Sequence, residues 1–227
     1  MNLRRLTVKT TGLALSAFAV AAILSVTASA QLTLDNFPTG NNGKNYLQPL
    51  NTAGSSATYY EPLPSGSSLG EARGTTFIVG PDPYPYAQSN KLEIGNGICI
   101  VETAFQASSA LEIVYGVNTH GKEVPLGLNL GSYSGLQLNF AGLAAPITAV
   151  TAIIEVWPSS GGYYISDVLL NSSYYPFTAT FPFTSFTGSD GQSGLTPAEA
   201  SDISYIYIEF QAGYTQSYGI TSFQAYN

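Results

Sequence analysis

The 227-residue chain has one cysteine, one histidine and little charge, with Asp, Glu, Lys and Arg making up only 9% of it. Each shortage excludes something. Cys99 has no second cysteine with which to form an internal disulfide. One cysteine and one histidine also exclude a cysteine-rich zinc site and a zinc site of several histidines. A histidine-based triad would have to use His120, within Asn118-Thr119-His120-Gly121-Lys122, which reads as an exposed hairpin tip. Cys99 lies in the apolar run Ile98-Cys99-Ile100-Val101 with no basic neighbour to lower its pKa, so it reads as a buried, inert thiol. After residue 30 there is no helical periodicity of useful length, and so no glycine-rich loop that opens a helix to cradle phosphate. No segment after residue 30 is long and apolar enough to span a bilayer as a helix.

The first 30 residues differ from the rest. Arg4, Arg5 and Lys9 come without any acid, an apolar stretch runs from Gly12 to Val26, and Thr27-Ala28-Ser29-Ala30 follows. This is the three-part layout of a cleavable signal peptide. The apolar stretch is shorter than the roughly 20 residues a spanning helix needs. Leu6-Thr7-Val8 after the paired arginines fit the twin-arginine pattern poorly, so the general export route is expected. The expected organisation is a signal peptide at 1–30 and one domain at 31–227, secreted or periplasmic. The exported part keeps four basic residues, Lys44, Arg73, Lys91 and Lys122, against all fourteen acids, a formal charge of −10. Such a chain repels nucleic-acid phosphates and anionic lipid. Its sparse charge is replaced by Ser, Thr, Asn, Gly and Tyr, a common surface for extracellular β-proteins.

Strand signals punctuated by Gly, Pro, Asn and Ser fill the exported part. Strands are expected at 32–37, 75–79, 91–94, 98–105, 110–117, 135–140, 147–157, 163–170, 177–181, 203–211 and 219–226. The loop-like stretch 38–72 is long for a structureless connection, and short strands at 46–50 and 57–60 would resolve that. One helical turn is expected near Thr196–Ala200, with Thr196 as N-cap, Pro197 in the first turn and Glu199 completing a capping box. In 203–210, Ile206, Ile208 and Phe210 share one strand face, and Tyr205, Tyr207 and Glu209 the other. Val150, Ala152, Ile154 and Val156 likewise oppose Thr151, Ile153, Glu155 and Trp157, and Leu136, Leu138 and Phe140 oppose Gln137 and Asn139. One apolar and one mixed polar-aromatic face per strand is the pattern of an all-β, antiparallel β-sandwich or jelly roll.

Several stretches carry a family resemblance. These are Leu34-Asp35-Asn36-Phe37-Pro38-Thr39-Gly40, Gly70-Glu71-Ala72-Arg73, the run from Leu128 to Leu136, Phe181-Pro182-Phe183-Thr184-Ser185-Phe186, and the run from Ala200 to Ile206. In this order they resemble exported bacterial sandwiches of the galactose-binding-like superfold, such as the complex I intermediate-associated protein 30 family and family 11 carbohydrate-binding modules. The family pattern often doubles the glycine before the arginine, where this chain has Glu71. The resemblance implies a fold more than an activity. Related modules often hold a structural calcium between the first and last strands. Asp35 is present, but the last strand offers no carboxylate, and calcium favours six to eight oxygens including carboxylates. No cofactor is therefore expected, with backbone oxygens the remaining route to a calcium site.

Sugar binding needs flat rings, few charges and several hydrogen-bonding groups. Trp157, Tyr205, Tyr207, Glu155, Glu209, Gln137 and Asn139 would supply these if their strands share a sheet, and Tyr84, Tyr86, Tyr163 and Tyr164 form a second set. Tyrosine also favours strands for its own sake, and cross-strand aromatic pairs stabilise sheets. The expected function is a non-catalytic carbohydrate-binding or surface-interaction module, with a polysaccharide or glycan as partner. One alternative is a structural or adhesive protein with no small ligand. Another is glycoside hydrolysis by paired carboxylates among Glu155, Glu209, Glu102 and Glu112.

Overall fold

In the computed structural model, residues 31–38, 46–50, 53–81 and 90–227 are described. The alternation seen in the sequence becomes the architecture. Among the described residues fourteen strands form two antiparallel sheets, and inward positions of most of them build one core between the sheets. In chain order the strands are β1 (Gln31–Asp35), β2 (Tyr46–Leu50), β3 (Ser56–Pro62), β4 (Ala72–Val79), β5 (Asn90–Gly95), β6 (Ile98–Glu102) and β7 (Ser109–Val117). Then come β8 (Gly135–Ala144), β9 (Val150–Pro158), β10 (Tyr164–Leu170), β11 (Phe177–Pro182), β12 (Thr187–Gly188), β13 (Ile203–Ala212) and β14 (Ser217–Tyr226).

The front sheet runs β12-β10-β9-β13-β7-β4-β3, and the back sheet β11-β8-β14-β6-β5-β2. On the side away from β8, β14 is paired by β6 over its first half and by β1 over its second. Phe140 of the back sheet meets Phe210 of the front sheet edge-on at 6.2 Å, locking the layers together. Trapping such rings between sheets is the main gain of a sandwich, about 25 cal/mol per Å² of apolar surface removed from water.

The two short strands expected inside 38–72 form as β2 and β3, because their backbones extend the sheets through β5 and β4. The helical turn α1 (Pro197–Ala200) forms with its capping box complete: Thr196 Oγ1 accepts from Glu199 N–H, and Glu199 Oε2 accepts from Thr196 N–H at 2.9 Å. The expected hairpin tip is a turn in which Asn118 Oδ1 accepts from the N–H groups of His120 and Lys122 at 2.9 and 3.1 Å. Boundaries differ from the expectation at several strands: β1 ends at Asp35, β4 begins at Ala72, β8 runs on to Ala144 and β14 begins at Ser217. β6 ends at Glu102, and the chain turns away through Gln106, which takes a positive φ of 58°. β9 begins at Val150, leaving Ile147 in an exposed loop. The two-residue strand β12 lies at the front sheet's edge and is too short to carry a sequence period.

Candidate functional site

The front sheet brings five of the seven proposed site residues onto one outer face. β9 and β13 are neighbours, and their register sets Trp157 opposite Tyr205 and Glu155 opposite Tyr207. On the other side of β13, Glu209 stands directly opposite Glu112 of β7. Gln137 and Asn139 do not join them. Both sit on β8 in the back sheet, so the core separates them from the other five. There Gln137 Nε2 donates to Gln224 Oε1 at 2.7 Å, and Asn139 Nδ2 donates to Ser222 Oγ at 2.8 Å. The sequence pattern marks them as outward-facing but holds no information about which sheet β8 enters.

The aromatic centre of the front face is Trp157, 38% exposed. Its ring lies 5.1 Å from that of Tyr163 and meets Tyr205 edge-on at 6.3 Å. Beside it opens a cleft of about 280 Å³, lined by Gly116, Glu123, Pro125, Trp157, Ser204 and Tyr205. Gly116 makes room for the tyrosine. At φ +91°, a Cβ there would come within 2.6 Å of Ser204 O and 3.2 Å of the Tyr205 ring. The segment after the hairpin tip closes one end of the face: Val124 N–H bonds Gly116 O at 2.8 Å and Leu126 N–H bonds Ser204 O at 3.0 Å. Tyr60 covers the β4 side, its ring lying where a Cβ on Gly74 would come within 2.9 Å.

The electrostatics of this face are one-sided. Glu112, Glu155, Asp167 and Glu209 project from its strands, with Glu123 at the cleft rim. Among the described residues, no Lys or Arg forms an ion pair with any of them. Tyr207 stands among three of the acids. Partial burial first, then Glu112 and Glu209, hold its pKa above the ordinary phenol value, so it stays protonated and donates to Glu112. Burial likewise raises Tyr205, reinforced by Glu123. The face therefore offers flat rings, carboxylate acceptors and a cleft, all open to solvent.

No known protein family and no curated protein matches the sequence. Solved structures give low-similarity matches. The family 11 carbohydrate-binding module of the cellulosomal cellulase Lic26A-Cel5E of Clostridium thermocellum is 11% identical, with a TM-score of 0.39, covering 88% of this chain and 95% of that one. TmCBM61, solved with β-1,4-galactotriose, is 8% identical, with a TM-score of 0.35, covering 86% and 99%. PfGH50B is 16% identical, with a TM-score of 0.37; the match covers 58% of this chain and only 20% of that chain's length.

The second set of tyrosines divides. Tyr163 joins the cleft aromatics, whereas Tyr164 turns inward and donates to Glu199, which first among causes raises its pKa to about 12. Tyr84 and Tyr86 lie outside the described residues. Of the other carboxylates considered, Glu112 reaches the front face, while Glu102 sits on the back sheet and pairs with Lys91 at 3.4 Å. Glu123 and Pro125 come to the cleft from a segment with no distinctive sequence pattern, and Ser204 from the start of β13. Gly116 had a readable signal, since a glycine inside a strand often marks a close approach.

One cluster goes beyond the sequence reading. Arg73 is fully buried in the core, where Nη1 donates to Asp35 Oδ2 at 2.6 Å and Nη2 donates to Glu61. Tyr115 OH donates to the same Asp35 oxygen at 2.7 Å, Phe37 N–H donates to Asp35 Oδ1 at 2.7 Å, and the Phe37 ring lies 5.0 Å below the guanidinium. Burial alone would disfavour the charged guanidinium, but Asp35, Tyr115 and Glu61 outweigh it and raise its pKa. Asp35 commits both of its carboxylate oxygens to this network. Among the described residues, no group of three His, Cys, Asp or Glu side chains is placed to hold a metal. Cys99 is buried as expected, and burial pushes its thiol up to about 12.

Proposed function

We propose that this chain is an exported, non-catalytic sandwich of the galactose-binding-like kind that holds a polysaccharide or glycan on its front face. The observation that carries this reading is the triad of Trp157, Tyr163 and Tyr205 beside an open cleft rimmed by Glu123. Aromatic faces stack on the apolar faces of sugar rings, while carboxylates and tyrosine hydroxyls bind the sugar hydroxyls at the rim. Such sites combine apolar lining with a few placed polar groups. Among the described residues no cation pairs with these acids, which suits a ligand without negative charge. Residues 1–30 serve as the export leader, and amino-terminal sequencing of the exported protein is expected to begin at Gln31.

The test is retention on a panel of insoluble polysaccharides and on a glycan array. The wild-type chain is expected to be retained by at least one neutral glycan without releasing reducing sugar. Trp157→Ala is expected to lose retention while keeping the wild-type circular dichroism spectrum. Failure of every glycan to retain the folded wild type would sink the proposal and leave the structural or adhesive reading. Reducing sugar that accumulates in wild type but not in Glu155→Gln or Glu209→Gln would instead make the protein a hydrolase.

A further inference from the structure

The row of the front face that carries Trp157 is closed at one end. Register sets Trp157 of β9 beside Tyr205 of β13. Gly116 of β7 comes next, since a Cβ there would lie 3.2 Å from the Tyr205 ring. Beyond Gly116 the row meets the segment 118–126, which is fixed at several points. Glu123 pairs with Val117 as an isolated bridge, Val124 N–H bonds Gly116 O at 2.8 Å, and Leu126 N–H bonds Ser204 O at 3.0 Å. The turn of the segment is seated on the sheet as well. Gly121, at φ +74° and without a side chain, lets the Tyr60 ring lie against it. Glu123 and Pro125 line the cleft as its far wall, while Trp157, at the other end of the row, stays 38% exposed.

The cleft is also small. Its volume of about 280 Å³ lies just below the roughly 300–1,000 Å³ of pockets that bury a drug-sized molecule, so it holds about one or two sugar rings. The rings of Trp157 and Tyr205 stand at 85° to each other, which makes a corner for one sugar ring rather than a level platform for successive ones. Towards the middle of the sheet the next outward side chains are already engaged. Tyr207 donates to Glu112, and Gln211 Nε2 donates to Glu209 Oε1 at 2.9 Å.

Resting on the glycan reading above, we infer that this cleft takes the terminal unit of a glycan, at its non-reducing end, and not an internal stretch. An internal unit carries chain on both sides, and one of the two would run into Glu123 and Pro125. A terminal unit carries chain on one side only, and that side leaves past Trp157. The terminal unit also keeps a free hydroxyl where an internal unit has spent it on a glycosidic bond. Glu123, a carboxylate at the closed end, is placed to accept from that hydroxyl. A branched glycan has many non-reducing ends and a single reducing end, so the non-reducing end is the commoner terminus to meet.

The test is an array of neutral oligosaccharides attached through their reducing ends, each series running from disaccharide to hexasaccharide, probed with the exported protein. Signals are expected to group by terminal unit and to stay level along each series. Capping the terminal unit with one further, different sugar is expected to abolish the signal. Glu123→Gln is expected to weaken binding roughly 10-fold while keeping the wild-type thermal melt. A signal that climbs steadily with length, or that survives capping, overturns the inference and leaves glycan binding standing. A Glu123→Gln variant that binds as tightly as wild type does the same. An array silent to a wild type that insoluble polysaccharides retain also overturns this inference alone, whereas retention by neither overturns the glycan reading with it.

Discussion

The two outer faces of the sandwich are made from nearly the same residue types and do different things with them. On the back face, polar side chains satisfy one another. Gln137 bonds Gln224, Asn139 bonds Ser222, Thr178 Oγ1 donates to Asn139 Oδ1 at 2.6 Å, and Lys91 lies 3.4 Å from both Glu93 and Glu102. That is a ladder of cross-strand pairs, the ordinary means by which sheets are stabilised. On the front face Glu112 and Glu209 stand directly opposite one another, a like-charge pairing that costs stability. Trp157 keeps a ring partly open to solvent beside a cleft. On the same face Tyr207 donates to Glu112 and Gln211 Nε2 donates to Glu209 Oε1 at 2.9 Å, so the two carboxylates are held by their neighbours rather than by a cation.

The largest expected effect tests what both faces share. Arg73→Met leaves Asp35 and Glu61 buried without their cation, and should destabilise the fold by about 3–5 kcal/mol in urea unfolding. Both faces would fail together, so a loss below about 1 kcal/mol would mean that the buried network is not what anchors β1 to the front sheet.

Next in size is the division between the faces themselves. Trp157→Ala or Tyr205→Ala should weaken glycan binding by about 2 kcal/mol in isothermal titration. Gln137→Ala and Asn139→Ala should leave that affinity unchanged. An equal loss from the back-face pair would erase the distinction drawn here.

A third expectation concerns alkali. Cys99, Tyr115 and Tyr218 all have folded-state pKa values raised chiefly by burial, Cys99 to about 12. Each keeps its neutral form when folded but ionises when unfolded. The stability they contribute is whole below their unfolded values, near 8.5 for the thiol and 10 for the phenols, and falls as pH rises above them. Each group should cost about 1.4 kcal/mol per pH unit in that window. Chemical unfolding measured between neutral pH and about pH 11 checks this, and a flat profile would mean that the three groups ionise in place.

The smallest effect sharpens the back face alone. Gln224→Ala removes the partner of Gln137 and should cost about 1 kcal/mol of stability in the same unfolding assay, with glycan affinity untouched.

Much of the fold was legible because strand alternation is a local signal. The faces of β8, β9 and β13 follow from residues two apart, and the capping box around Thr196 and Glu199 is written in four consecutive positions. Even β2 and β3 could be anticipated, since a long structureless connection is itself improbable in a packed domain. The site was half legible for the same reason. Alternation marks outward-facing residues but not the sheet to which each strand belongs, so it does not separate Gln137 and Asn139 from residues on the opposite sheet.

By itself, the sequence determined the all-β class, the absence of disulfide and histidine-based zinc chemistry, the negative charge, and the burial of Cys99. Those depend on composition and on short-range periodicity. Only the tertiary structure decided that β9 and β13 are neighbours, that Gly116 lets Tyr205 lie against β7, and that Arg73 reaches Asp35 across 38 positions of chain. Strand order is set by long-range pairing, in which every candidate partner shows the same alternation. The choice among partners is made by how the inward side chains fill one common core.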